Sequence, residues 1–280
     1  MIDRSSRLAG AILFLVAACS QPLFAQKDTV TLVTAPFWLL RDWAIIGAFG
    51  VATVAAEPLD KSFAERLQNP HIQENRNMRR VAHFVENVAD PGAFIIGASL
   101  YTYGRVTKHR RIADLGLHGT EALFIGSQIG WLLKGTFGRQ RPFVNIDDPS
   151  NYQLFRGFRD GGQFQSFPSG HSIAAFAAAS AVTSEIKLWQ PKSVWIIGPL
   201  MYGGAATVAW SRMFDNKHWA SDVITGAAIG TFSGLKVVHW HHKHPNNAFD
   251  RFLLGPVVVR TPAGDIVARF RVVPELGPPW

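Results

Sequence analysis

The stretch Ser211-Arg-Met-Phe-Asp-Asn-Lys-His218-Trp-Ala-Ser-Asp222 decides how this chain reads. Its histidine and final aspartate stand four residues apart, and on a helix an imidazole and a carboxylate at that spacing share one face. A carboxylate that holds one ring nitrogen as N–H leaves the other nitrogen free to act as a nucleophile. Arg212 adds a permanent charge on a planar fork that matches phosphate oxygens. A nucleophile, its orienter and an oxyanion clamp thus fall within one short segment. Taken alone, the same segment also describes a buried His–Asp pair under a structural arginine.

Two stretches upstream bear on that choice. The first is Lys134-Gly-Thr-Phe-Gly-Arg-Gln-Arg141-Pro142. A seven-residue spacing is two helical turns, so a helix would point Lys134 and Arg141 the same way. Pro142 disfavours helix at Arg141 and places the pair at a helix end beside a loop. Two cations aimed at one point suit a dianionic phosphate, although basic residues also favour helix termini for dipole reasons alone. The second stretch is Phe167-Pro168-Ser169-Gly170-His171, followed by the alanine-rich run Ser172–Ser180. That pattern predicts a helix with a defined N-terminus. Its free N–H groups and the Ser169 hydroxyl form an anion seat, with His171 at the rim; simple capping gives the same signature.

Together the three stretches resemble the type 2 phosphatidic acid phosphatase and vanadium haloperoxidase superfamily. The family pattern is Lys, six residues, Arg-Pro; then Pro-Ser-Gly-His; then Ser-Arg, five residues, His, three residues, Asp. Lys134, Arg141-Pro142, Pro168-Ser169-Gly170-His171, Ser211-Arg212, His218 and Asp222 fit it at each position. The resemblance covers a motif core from Lys134 to Asp222. It implies a helical bundle and a metal-independent, cofactor-free phosphatase working through a phosphohistidine. On that reading His218 attacks phosphorus, Asp222 fixes its tautomer, and His171 protonates the leaving oxygen and then activates water. Lys134, Arg141, Arg212, Ser169 and the Gly170 N–H hold the equatorial oxygens.

Composition narrows the setting. In 280 residues, 48% are hydrophobic and 17% charged, with 9 Trp and 20 Phe, too apolar for a disordered chain. A formal net charge of +8 favours anionic partners. No nucleic-acid recognition signature appears, so an anionic membrane surface and phosphorylated substrates fit better. The single cysteine, Cys19, excludes an internal disulfide framework and a Cys-based zinc site.

Residues 1–25 read as an export signal: Arg4 and Arg7, an apolar run, then small residues. Val16-Ala17-Ala18-Cys19 resembles a lipobox, which would lipidate Cys19, and Leu23-Phe24-Ala25 is a competing cleavage site. The chain is therefore expected to be a bacterial protein, exported to the periplasm or the periplasmic face of a membrane. Residues 26–245 are read as the helical phosphatase domain. Within it, Trp43–Ala56 is apolar but short for a span, Glu57–Asp90 reads as one or two amphipathic helices, and Leu115–Leu133 as a helix. Ser193–Ser211 is the best transmembrane stretch after the signal. Gly226, Gly230 and Gly234 lie on one face of a helix and let a neighbour approach. His239, His241, His242 and His244 read as a solvated helix end without regular metal-ligand geometry. The loop Phe143–Phe167 would overhang the site and help select substrate. Residues 246–280 form a tail whose β-branched runs around a Pro/Gly turn predict a β-hairpin.

The fold class expected is thus mainly α, a helical bundle with a short C-terminal hairpin. The expected substrate is a phosphate monoester or diphosphate, most simply of a lipid. A soluble periplasmic acid phosphatase, suggested by a mean hydropathy of only +0.08, is the alternative. A vanadate-dependent haloperoxidase and a non-catalytic oxyanion-binding lipoprotein use the same constellation.

Overall fold

A computed structural model describes residues 38–160 and 162–244 together with the backbone of two short strands near the C-terminus. The export signal and Cys19 lie outside the described residues. The helices run in order: α1 Leu40–Ala56, α2 Asp60–Leu67, α3 Pro70–Gln73, α4 Arg76–Asn87, α5 Ala93–Val106, α6 Arg110–Phe137, α7 Gly170–Trp189, α8 Val194–Phe214 and α9 Ala220–Lys243. Strands β1 Pro256–Arg260 and β2 Ile266–Phe270 pair antiparallel, Pro256 opposite Phe270.

Helix α7 is the hub, packed against α6, α8 and α9, with α5 against α6, α1 against α9 and α4 against α8. Its small side chains make this position tenable. Ala174, Ala177 and Ala181 are buried and join Leu123, Val237 and Val238 in one apolar cluster. The glycine ladder of α9 faces α7: a Cβ on Gly230 would lie 2.3 Å from the Ile173 carbonyl oxygen, and one on Gly234 2.7 Å from that of Ala177. Only a hydrogen there lets the two backbones meet.

The N-terminal part differs from the expectation of short separate helices. A 3₁₀ turn, Glu57–Leu59, joins α1 to α2, so Leu40–Leu67 forms one helical run. Among the described residues this run is long and apolar enough to cross a membrane, and only 11% of its most apolar window is buried. The stretch Ser193–Ser211, favoured from sequence, falls almost entirely within α8, which exposes Trp195, Ile196 and Leu200. The Glu57–Asp90 segment forms α2, α3 and α4, and its first helix does more than present an amphipathic face. Asp60 is fully buried and reaches the centre of the protein. A buried Lys236–Asp42 ion pair ties α9 to α1.

Candidate active site

The three motifs converge where the N-termini of α7 and α9 meet the C-termini of α6 and α8. Helix α6 ends at Gly138, whose positive φ of 52° turns the chain out of the helix. Lys134 therefore stays in the last turn of α6, whereas Arg141 lies beyond it in the loop. The two cations meet through this turn and not through two helical turns. An extended segment follows, with Arg139 bridged to Tyr152.

Lys134 extends its Nζ to the Gln165 and Pro168 carbonyls, at 2.9 and 2.6 Å. Ser169 caps α7: its Oγ accepts from the Ser172 N–H, and its own N–H donates to the Asp222 carbonyl at 3.0 Å. That bond fastens the Pro-Ser-Gly-His segment to the first turn of α9. Gly170 begins α7 with Lys134 beside it, since a Cβ there would lie 3.7 Å from Lys134 Cε. His171 follows, half-buried, in the first turn. Arg212 comes from the C-terminal turn of α8, is 4% exposed, and meets Glu86 of α4 at 2.5 Å and Asp215 at 3.5 Å.

His218 departs from the sequence reading. It sits in the turn before α9, not on the helix, and its Nδ1 lies 2.7 Å from the Ser166 carbonyl but 3.6 Å from Asp222. A carbonyl only accepts, so Nδ1 carries the proton and Nε2 keeps its lone pair. The tautomer expected from Asp222 is set by the backbone of residue 166. Asp222 instead closes a network in which it accepts from Arg139 Nη1 at 2.6 Å, Ser166 Oγ at 2.5 Å and the Trp219 N–H at 2.9 Å. Arg139 is itself fully buried and also donates to Ser221 Oγ and Asp60, each at 2.7 Å. Asp60 in turn accepts from the Ser221 N–H at 2.9 Å.

Arg139, Asp60, Ser166 and Ser221 are thus site residues that sequence reasoning missed. Arg139 stood inside the quoted motif, two positions before Arg141, and in extended chain that spacing puts both side chains on one face. That was the available signal. Nothing local marks Asp60, whose partner lies 161 residues away.

The electrostatics follow from burial among cations. Burial holds His218 well below the usual histidine range, and Lys134 and Arg141 reinforce this against the pull of Asp222. Burial and then Arg212 lower His171 to about 4. Lys134 falls to about 7 through burial and the charge of Arg141, and Arg141 to about 10 through burial and Arg212. Burial alone would raise Asp222, but the Arg139 charge, His218 and Ser166 keep it well below the usual carboxylate range. The Nε groups of Arg141 and Arg212 are buried and lack hydrogen-bond partners. Buried donors without acceptors beside crowded cations make an anion receptor.

The loop between the first two motifs is stitched to this site. Arg141 N–H donates to the Gln163 carbonyl, Phe143 N–H to the Asn216 carbonyl, and Ser166 N–H to the Arg139 carbonyl. Gly157 lies so close to α6 that a Cβ would be 2.0 Å from the Lys134 carbonyl oxygen. The loop and the end of α6 carry an exposed apolar rim including Phe143, Tyr152, Phe155, Phe158, Trp131 and Phe137.

Residues 116–246 match the family model described as the PAP2 superfamily. A decaprenylphosphoryl-5-phosphoribose phosphatase of Mycobacterium tuberculosis is 31% identical over 164 residues, 57% of this chain and 76% of that one. A lipid A 1-phosphatase of Porphyromonas gingivalis is 36% identical over 103 residues, 36% of this chain. The chain spans only 18% of that protein, and less than two thirds of two proteins named as undecaprenyl-diphosphatases. Among solved structures, a transmembrane PAP2-type phosphatidylglycerolphosphate phosphatase from Bacillus subtilis shares the fold, with a TM-score of 0.53 at 20% identity. The match covers 75% of this chain and all of that one.

Proposed function

The chain belongs to the PAP2 superfamily, and from that premise we propose that it hydrolyses a lipid phosphate monoester or diphosphate through a phosphohistidine, without a metal at the phosphate. His218 Nε2 attacks phosphorus while the P–O bond to the leaving group breaks, and His171 delivers a proton to the departing oxygen. His171 then takes a proton from water, whose oxygen displaces Nε2 and releases inorganic phosphate. Lys134, Arg141 and Arg212, with Ser169 and the Gly170 N–H, meet the charge on the equatorial oxygens. Asp222 balances the imidazolium side of His218, and Arg139 holds Asp222 in place. The observation that carries the reading is the fixed tautomer of His218 beside the cations Lys134, Arg141 and Arg212, with the Nε groups of both arginines buried and unpartnered.

A lipid substrate is favoured by the apolar rim and the exposed apolar run of α1, which together let an acyl or isoprenyl chain stay in a bilayer while its phosphate enters the site. The relatives named as lipid A and polyprenyl phosphatases agree with that class. Export to the periplasmic face, and lipidation at Cys19, are parts of the same proposal that rest on residues 1–25.

The test is phosphate release by the purified chain in the presence of EDTA. The panel pairs an isoprenyl diphosphate, phosphatidic acid, phosphatidylglycerophosphate and a lipid A phosphate with a soluble aryl phosphate. Release from a lipid member, lost in His218→Ala, is the expected result. Activity that survives His218→Ala removes the nucleophile assignment, and preference for the aryl ester makes the protein a soluble-substrate phosphatase.

A further inference from the structure

Far from the phosphate site, three helices bring a second set of titratable side chains into the interior. His118 on α6 places Nδ1 2.6 Å from Glu185 Oε1 on α7. His242 on α9 places Nε2 2.9 Å from the same oxygen and 3.1 Å from Oε2. One donor atom from each of the three residues lies within 4.8 Å of the others. Glu185 is fully buried and His118 is 2% exposed. On α6, residues 118 and 134 are sixteen steps of 1.5 Å apart, so this cluster lies about 24 Å along the helix from Lys134. The proposed phosphatase chemistry does not use it.

Sequence reading made His241 and His242 a solvated helix end, but both belong to α9 and turn inward. His241 is buried, places Nε2 2.6 Å from Glu121, and stacks on His118 with ring centroids 4.2 Å apart.

We propose that His118, Glu185 and His242 bind one divalent transition-metal ion, of the zinc class, that clamps α6, α7 and α9 together. Two nitrogens and a carboxylate are a donor set that zinc uses with a further position open. Ligand atoms in a tetrahedral zinc site sit about 3.4 Å apart for bonds of about 2.1 Å, so the two contacts to Glu185 Oε1, at 2.6 and 2.9 Å, need only sub-ångström widening, while the two nitrogens already lie within 4.8 Å of each other. His242 is partly exposed and gives the ion a way in.

Two loose ends of the cluster support this. His118 Nε2 and Asp114 Oδ1 are both buried without hydrogen-bond partners, one helical turn apart on α6. When Nδ1 coordinates, the ring proton is carried on Nε2, and Asp114 is the carboxylate one turn away on α6. Metal-bound histidines commonly donate their second N–H to a carboxylate in this way. Charge agrees as well. Glu185 and Asp114 are both buried, and Arg110 approaches Asp114 only to 3.8 Å from a half-exposed position. A dication would neutralise both carboxylates.

The experiment uses the full chain in detergent, free of a polyhistidine tag, stripped by dialysis against a strong chelator and titrated with Zn²⁺ and with Co²⁺. Wild type should bind one equivalent, with the visible absorption of four-coordinate cobalt, and its thermal midpoint should rise on loading. Glu185→Gln and His118→Ala should weaken binding by about 100-fold or more, whereas His218→Ala should bind as wild type does. If His118→Ala fails to fold, the wild-type cobalt spectrum and the partly exposed His242→Gln decide the matter. Absence of binding in wild type overturns the proposal. So does binding that survives Glu185→Gln and vanishes in His239→Ala/His244→Ala, which would mark a surface site. Phosphate release measured on the same stripped sample separates failure of this proposal from failure of the phosphatase reading.

Discussion

Replacing Arg139 by methionine should destabilise this protein by about 3–5 kcal/mol, the range for deleting one partner of a buried ion pair. The structure places the change at the upper end. Arg139 is fully buried, and two carboxylates of zero exposure, Asp60 and Asp222, lean on its two terminal nitrogens. Methionine fills part of the volume but leaves both charges without their cation. At 2–4 °C per kcal/mol for a chain of this order of size, the thermal midpoint should fall by about 6–20 °C. The pH dependence should move too. The Asp222 carboxyl is depressed in the folded state, so it contributes stability above the unfolded carboxyl range and loses it as pH falls. Without Arg139 that acid-side loss should begin at higher pH. Adding Asp60→Asn removes one of the stranded charges and should recover part of the stability. It should not recover turnover, which should drop at least tenfold, the equivalent of about 1.4 kcal/mol. Denaturant unfolding and phosphate release, measured on the single and double variants, make the cycle. A loss below about 1 kcal/mol with unchanged turnover would refute the view of Arg139 as the anchor of Asp222.

Other consequences concern pH and packing. His171 and His218 are both held neutral in the folded state, His171 with a folded value of about 4. The unfolded chain then binds more protons below about pH 6.5, so stability should be complete above that pH and decline as pH falls through it. An unfolding midpoint that stays flat from pH 7.5 to 5 speaks against the burial of these rings. Since His171 must be protonated to act as the acid, kcat/KM should fall toward alkaline pH. A bound dianion should raise the His171 value, shift the limb of kcat higher, and His171→Gln should abolish that limb. Gly230→Ala should destabilise by about 1–3 kcal/mol because its Cβ meets the Ile173 carbonyl, whereas Gly203→Ala on α8, with open space around it, should stabilise by up to about 1 kcal/mol. Equal effects at the two glycines would remove the close α7–α9 contact as their cause.

By itself the sequence carried the helical character, through apolar periodicity and the alanine-rich start at Ser172. It also carried the proposal of anion chemistry, because Lys134, Arg141, His171, Arg212 and His218 sit in short segments whose spacing is meaningful without a third dimension. The ladder of Gly226, Gly230 and Gly234 announced a close neighbour, although only the structure named it as α7. What tertiary structure alone decided is who holds whom. The proton on His218 is placed by a carbonyl 52 residues away, and Arg139 joins Asp60 to Asp222 across 79 and 83 positions. Such partners are matched by burial, since a charge or N–H removed from water must find a complement wherever the chain supplies one. The same rule explains the histidines near the end of α9. In sequence their alternation around Trp240 had no ligand geometry, because the geometry is shared among α6, α7 and α9 and exists only once the three helices pack.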